Sequence, residues 1–308
     1  MSEPRIGLVL GGGGARGIAH VPVIEALDEL GVRPAAIAGT SIGAVYGAGR
    51  AGGLTGAELR AVTLDRFGNR AAALARLWTL RPKKFADLLS SGLGLGQIDP
   101  EKILATFVGD EIRATFGELT IPLAVVATDY YGGGAASLIS GDLRRAVAAS
   151  IAIPAVFRPV VIEGRVLVDG GVVDPVPVGA LPVEVDLIVA VDIASYPEPA
   201  GGKALPGALE VMFGASQLMQ QQIAAARFER NPPDVLIRPP VNHVRALDFL
   251  DAPKILAAAE PAKEEAKRRI GRLIEAHMAE SVRALESPKK RRWLPAVRLR
   301  ERSRGETA

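Results

Sequence analysis

The chain has 308 residues, 48% of them apolar and 23% charged, with a net charge of +3. That length and balance describe a globular protein with room for a full core, and exclude a disordered or fibrous one. Cysteine is absent, which excludes disulfides, thiol nucleophiles and thiolate metal sites, and the three histidines (His20, His243, His277) lack metal-ligand spacing.

The first element is a short apolar strand at 5–10. It follows the N-terminus directly and is too short for a signal-peptide core, so a cytoplasmic protein is expected. No apolar run reaches the roughly 18 residues needed to span a bilayer. Further strands are expected at 35–38, 122–127, 135–139, 165–168, 187–191 and 234–237. Helical patterns lie between and after them, at 17–30, 42–51, 56–66, 142–150, 206–228 and 253–285. Valine-, isoleucine- and leucine-rich strands that alternate with helices predict an α/β fold, with a mainly parallel central sheet and helices on both faces. Residues 1–287 read as one such domain. Within it, 67–100 is irregular, mixing Trp78 and Phe85 with basic residues and then glycines. It reads as a surface insertion or a flap over an apolar site. The segment 288–308 carries eight Lys or Arg and two Glu, a net +6 that leaves −3 on the rest.

Chemistry concentrates at two turns. Gly11-Gly12-Gly13-Gly14-Ala15-Arg16-Gly17 follows the first strand and opens a helix. Glycines let backbone N–H groups approach an anion, and a helix N-terminus adds positive potential. The anion is either a phosphate, since Gly12-x-Gly14-x-x-Gly17 fits the dinucleotide pattern, or a tetrahedral oxyanion. The second turn favours the oxyanion. Where a dinucleotide site wants an acidic residue after the second strand, this chain has Gly39-Thr40-Ser41-Ile42-Gly43. A G-x-S-x-G between a strand and a helix is a sharp elbow that presents a serine hydroxyl as nucleophile.

Serine needs a base. No histidine has a good setting: His20 lies in the first helix beside the glycine loop, His243 in a polar loop, and His277 among charges in the last helix. An aspartate at a strand's carboxyl end can serve instead, because ligands of parallel sheets gather there. Asp129, Asp169 and Asp192 all qualify, and Asp169 has the best local case, since Gly170-Gly171 permits a tight turn.

Three ordered blocks, Gly12 to Gly17, Gly39 to Gly43 and Asp169-Gly170-Gly171, resemble those of the patatin-like phospholipase family, of the compact bacterial type. Supporting stretches are Gly17-Ile18-Ala19-His20, Ala127-Thr128-Asp129, Ala149 to Pro154 and Asp174-Pro175-Val176-Pro177, and the likeness runs over about 5–280. The resemblance implies a patatin-like three-layer sandwich and a Ser–Asp dyad, with Ser41 as nucleophile and Asp169 as base. It also implies an oxyanion hole from the Gly12, Gly13 and Gly14 backbone with Arg16 fixing that loop. Gly39, Gly43, Gly170 and Gly171 would support the two turns. Such chemistry needs no cofactor and no metal.

The substrate class implied is a phospholipid or lysophospholipid acyl ester. The motifs leave open a thioesterase, a soluble-ester esterase, or a non-enzymatic lipid- or nucleotide-binding regulator that uses the glycine loop. The basic tail, with Trp293, Leu294 and Val297 among its charges, suits peripheral contact with an anionic membrane at the inner face. No nucleic acid is expected, because no recognition fold accompanies the charge.

Overall fold

The computed structural model describes residues 3–79, 98–198 and 205–286. Residues 80–97 of the expected flap, and the tail at 288–308, lie outside the described residues. Elements are numbered over the described residues.

Eight strands form one mixed sheet: β1 (Ile6–Leu10), β2 (Ala36–Thr40), β3 (Leu123–Asp129), β4 (Gly134–Leu138), β5 (Val160–Ile162), β6 (Arg165–Asp169), β7 (Leu187–Val191) and β8 (Val235–Ile237). The order is β5-β6-β3-β2-β1-β7-β8, with β4 also paired to β3. From β3 through β8 the neighbours are parallel, whereas β4 and β6 run antiparallel to β3, and β5 to β6.

The helices are α1 (His20–Glu29), α2 (Ile42–Ala51), α3 (Gly56–Phe67), α4 (Arg70–Thr79), α5 (Pro100–Phe107), α6 (Leu143–Ser150), α7 (Ala208–Arg230), α8 (Ala252–Ala259) and α9 (Pro261–Glu286). The period-two alternation of β1 divides the core. Leu8 and Leu10 join a large cluster with residues of α1, α2, α6 and α9, while Val9 joins a smaller one with Ala224 and Phe228 of α7. The sheet is thus covered on both faces, as its continuously apolar strands require. Each fully buried leucine or isoleucine contributes about 1.5–3 kcal/mol.

Departures from the sequence reading have local causes. The expected 253–285 helix is two helices, because Pro261 cannot continue α8 but suits the first turn of α9. The first helix starts late: Gly14–Ala19 is a 3₁₀ turn, and α-helix begins at His20. Strand β5 has three residues and gave no periodic signal. Helix α5 was missed despite its start signals: Asp99 caps the Glu101 N–H, and Pro100 takes the first position.

Candidate active site

Strand β3 brings the two informative turns together. One of its edges pairs with β4 throughout 125–129. Its other edge is shared: β2 occupies Leu123 to Val126, and β6 takes over at Ala127 to Asp129. Thr40, the last residue of β2, therefore faces Val126, and Asp169, the last residue of β6, faces Ala127. The two strands meet end to end along β3. The residue after β2 is Ser41. Asp169 does reach the strand ends, but on an antiparallel strand arriving from the opposite direction, not on a parallel one as the sequence reading assumed.

Ser41 adopts φ 56° and ψ −125°, a left-handed backbone for a residue with a side chain. Such a conformation costs on the order of 1–3 kcal/mol and is kept only where its surroundings enforce it. The elbow glycines make the turn possible by close approach. A Cβ on Gly43 would sit 2.1 Å from the Leu10 carbonyl oxygen, and one on Gly39 would sit 2.6 Å from that of Gly43.

Within this frame the Ser41 hydroxyl donates to Asp169 Oδ2 at 2.6 Å. Asp169 Oδ1 accepts the Gly171 N–H at 2.7 Å, which uses the tight Asp-Gly-Gly turn. Both residues are buried. Burial pushes the Asp169 carboxyl up to about 6, against the smaller downward pull of the Ser41 and Gly171 hydrogen bonds.

The other two aspartates have structural work. Asp129 accepts the Gly132 N–H and closes the β3–β4 turn. Asp192 accepts the Ala194 N–H and pairs with Arg238. None of the three histidines bonds the Ser41 hydroxyl. His243 is exposed in a turn, and His277 is half-buried on α9. His20 is fully buried, and its Nε2 lies 2.9 Å from the Gly11 carbonyl. A carbonyl only accepts, so Nε2 carries a proton, and the buried ring is neutral at pH 7. Burial accounts for this, lowering the His20 pKa to about 4.

The glycine loop lies against the elbow, with the position of a Gly12 Cβ 3.3 Å from the Ser41 Cβ. The Gly12 N–H is engaged with the Pro175 carbonyl at 2.9 Å, whereas the Gly13 N–H has no acceptor among the described residues. Arg16 is buried and donates to the carbonyls of Ile193 (3.1 Å) and Val244 (3.0 Å), which fixes the loop to its neighbours.

Two spaces open from Ser41. An apolar cavity of about 390 Å³ runs between α2, α3 and α5, walled by Val45, Leu59, Phe67, Leu104, Phe107 and Ile151. That is within the size range of small-ligand sites. A more polar cleft of about 180 Å³ lies over Asp169, between the glycine loop and Met212, Phe213, Gln217 and Gln220 of α7.

Sequence reasoning missed several residues that hold this arrangement. The Ser150 hydroxyl accepts the Ser41 N–H at 2.8 Å and donates to the Val126 carbonyl at 2.6 Å. Thr128 donates to the Asp169 carbonyl and Thr40 to that of Asp174, each at 2.8 Å. Asp174 pairs with Arg227 of α7 at 3.2 Å. Ser150 and Asp174 fall in stretches that carried the family resemblance, but their partners lie 24 to 134 positions away in the chain and leave no local pattern. Among the described residues no cluster of three or more His, Asp or Glu could hold a metal, and no helix is long and apolar enough to cross a membrane.

A family model described as patatin-like phospholipase matches residues 8–182, a range that contains the glycine loop, the elbow and Asp169. The chain belongs to the patatin-like phospholipase family. An uncharacterised NTE family protein of Mycobacterium tuberculosis is 40% identical over 198 residues, covering 62% of this chain and 50% of its own length. A lysophospholipase of Emericella nidulans is 34% identical over 218 residues, covering 67% of this chain and 13% of its own length. The patatin-like chain thus spans half of the mycobacterial relative and a small part of the fungal one. Among solved structures, VipD from Legionella pneumophila aligns with a TM-score of 0.48 at 15% identity, over 90% of this chain and 67% of its own.

Proposed function

We propose that this protein is a serine acyl-ester hydrolase of lipids, of phospholipase A or lysophospholipase type. The observation that carries the reading is the 2.6 Å hydrogen bond from the Ser41 hydroxyl to the buried carboxylate of Asp169, made at the mouth of an apolar cavity. Membership of a family named for phospholipases, and a relative named lysophospholipase, support a lipid substrate.

In the proposed reaction Asp169 takes the hydroxyl proton as Ser41 Oγ attacks the ester carbonyl carbon. A base with a pKa raised to about 6 holds that proton better than an ordinary aspartate would. The Gly13 and Gly14 amides hold the developing oxyanion. Removing such a donor typically costs about 3–4 kcal/mol of barrier. The Gly12 amide serves its loop instead, through Pro175. Asp169 returns its proton to the departing alcohol. A water then loses a proton to Asp169 and attacks the acyl-enzyme carbonyl; the bond to Ser41 Oγ breaks, Asp169 returns the proton to that oxygen, and the fatty acid leaves. The acyl chain occupies the apolar cavity, and the polar cleft under α7 receives the alcohol side.

Labelling with a fluorophosphonate probe tests the enzyme class. Reaction of the native protein, lost in Ser41→Ala, is expected; no labelling of the native protein would indicate a binding protein that uses the glycine loop. A hydrolysis panel of phospholipids, lysophospholipids, thioesters and short esters then separates the substrate classes. Val45 lies one helical turn beyond Ser41 and lines the cavity. Val45→Phe is expected to lower hydrolysis of long-chain esters by roughly tenfold or more while sparing short ones. Equal losses on both would remove the cavity as the acyl site.

Membrane contact is assigned to the basic tail. Basic residues near an anionic bilayer contribute about 1 kcal/mol each. Truncation after Ser287 is expected to weaken sedimentation with anionic vesicles, most at low salt, and to leave short-ester hydrolysis intact. Equal vesicle binding by both forms at low ionic strength would refute that role.

A further inference from the structure

Ser150 ends α6 and is fully buried. Its single hydroxyl is used twice, accepting the Ser41 N–H at 2.8 Å and donating to the Val126 carbonyl at 2.6 Å. Two residues on, the buried Ala152 carbonyl accepts the Asp169 N–H at 2.9 Å. The short segment 150–152 therefore grips the backbone N–H of both members of the Ser41–Asp169 pair. The two grips differ in kind. The one on Asp169 is backbone to backbone and survives any side-chain change. The one on Ser41 depends wholly on the Ser150 hydroxyl.

That dependence matters because of where Ser41 sits. The β2 ladder ends at Thr40, so no strand partner remains for the Ser41 N–H. The residue also holds a left-handed backbone that its own side chain disfavours. Val126 is the β3 residue opposite Thr40, next to the one opposite Asp169. A hydroxyl bridging the Ser41 N–H to the Val126 carbonyl thus references the elbow to the same strand that positions Asp169. The segment continues directly into substrate-facing walls. Ile151, Ile153 and Phe157 line the apolar cavity, and Ile153, Pro154 and Ala155 line the cleft.

We propose that Ser150 is a positioning residue for the reaction: its hydroxyl holds the strained elbow so that Ser41 Oγ stays within hydrogen-bond reach of Asp169 and in line with the glycine-loop amides. This rests on the hydrolase reading above. Removal of the hydroxyl leaves a buried N–H and a buried carbonyl unpaired, and the elbow relaxes to satisfy them. Small displacements of reacting groups are costly, up to about 10²-fold for 1 Å. The Ser41 hydrogen bond also pulls the Asp169 pKa down, so a longer bond lets it rise further.

The test compares Ser150→Ala and Ser150→Thr with the native chain, using a soluble short-chain ester. The core variant Ile270→Val, buried on α9 and lining neither space, serves as the control for general destabilisation. Rates are taken per folded molecule, counted by the thermal unfolding signal. Ser150→Ala is expected to lower kcat by roughly 10- to 100-fold with little change in KM, to slow fluorophosphonate labelling, and to move the acid limb of the pH profile upward. Ser150→Thr, which keeps the hydroxyl, is expected to recover most of the rate, and Ile270→Val to show neither change. If threonine overpacks the site, Ser150→Cys takes its place and is expected to fall between serine and alanine, because a thiol bonds weakly in both roles. A native rate and an unmoved acid limb in Ser150→Ala would overturn the proposal, as would an equal loss in Ile270→Val. An unreactive native protein would instead strike the hydrolase reading.

Discussion

Ser41→Ala and Asp169→Asn are each expected to lower turnover by roughly 10⁴-fold or more, and the double variant to be little worse than either alone. The reason is that the two groups act in one step. A serine without its base is a poor nucleophile, and a base without its serine has nothing to activate. The 2.6 Å hydrogen bond between the two buried side chains is the basis for expecting such coupling. His20→Gln is the informative companion. The His20 ring faces the Gly11 carbonyl, not Ser41, and burial keeps it neutral. A glutamine amide can still donate there, so most of the activity is expected to remain, with some loss of stability. Kinetics of the four purified variants decide the matter. Near-native hydrolysis by Asp169→Asn would remove it as base, and a collapse in His20→Gln with the fold intact would make the site a Ser–His one. The kcat/KM profile is expected to fall as pH drops through about 6, because a protonated Asp169 cannot take the hydroxyl proton.

The second expected result is a gain. Asp169→Asn should make the protein more stable at neutral pH while abolishing turnover. Asp169 has a pKa raised to about 6 by burial, against 3.8 for an unperturbed aspartate. A carboxyl raised in the folded state favours folding fully below the unfolded value, and that contribution is lost as pH rises through the folded value. At pH 7 to 8 the buried charge therefore costs the native state, by about 3 kcal/mol at one pH unit per 1.4 kcal/mol. Asparagine carries no charge, and its amide keeps both partners: the oxygen can accept from Gly171, and the nitrogen can face Ser41. The stability difference between variant and native protein should be small near pH 4, open between about 4 and 6, and stay level above. Urea unfolding at pH 4.5 and 7.5 measures it. A variant no more stable than the native chain at pH 7.5 would mean that the Ser41 and Gly171 hydrogen bonds offset the burial cost. Asp174, likewise raised to about 6 by burial, adds a slope of the same sign. His20, held neutral with a pKa near 4, adds one of opposite sign, destabilising as pH falls from about 6.5.

Local sequence determined the pieces of this protein. Alternating apolar strands and helical patterns specified an α/β sheet with both faces covered, because those periodicities follow from backbone geometry within a few residues. The elbow at Ser41 was legible in part for the same reason: Gly39 answers to Gly43 and Ala44 within one turn, whereas Gly43 answers to the Leu10 carbonyl of β1, which no local pattern shows. The Asp-Gly-Gly turn was legible as a turn. Which aspartate faces Ser41 was not, and physics applied to the sequence left Asp129, Asp169 and Asp192 open until the family resemblance favoured one. Only the tertiary structure brings Asp169 to Ser41, and the deciding feature is the shared edge of β3, where β2 stops at Val126 and an antiparallel β6 begins at Ala127. That register depends on pairings between distant residues, Thr40 with Val126 and Ala127 with Asp169, so no short window of sequence contains it. The Ser150 hydroxyl, the engagement of the Gly12 amide by Pro175 and the Arg227–Asp174 pair are likewise contacts of long separation. The pKa of Asp169 is tertiary in origin too, because burial sets it and burial is a property of the assembled sheet and helices.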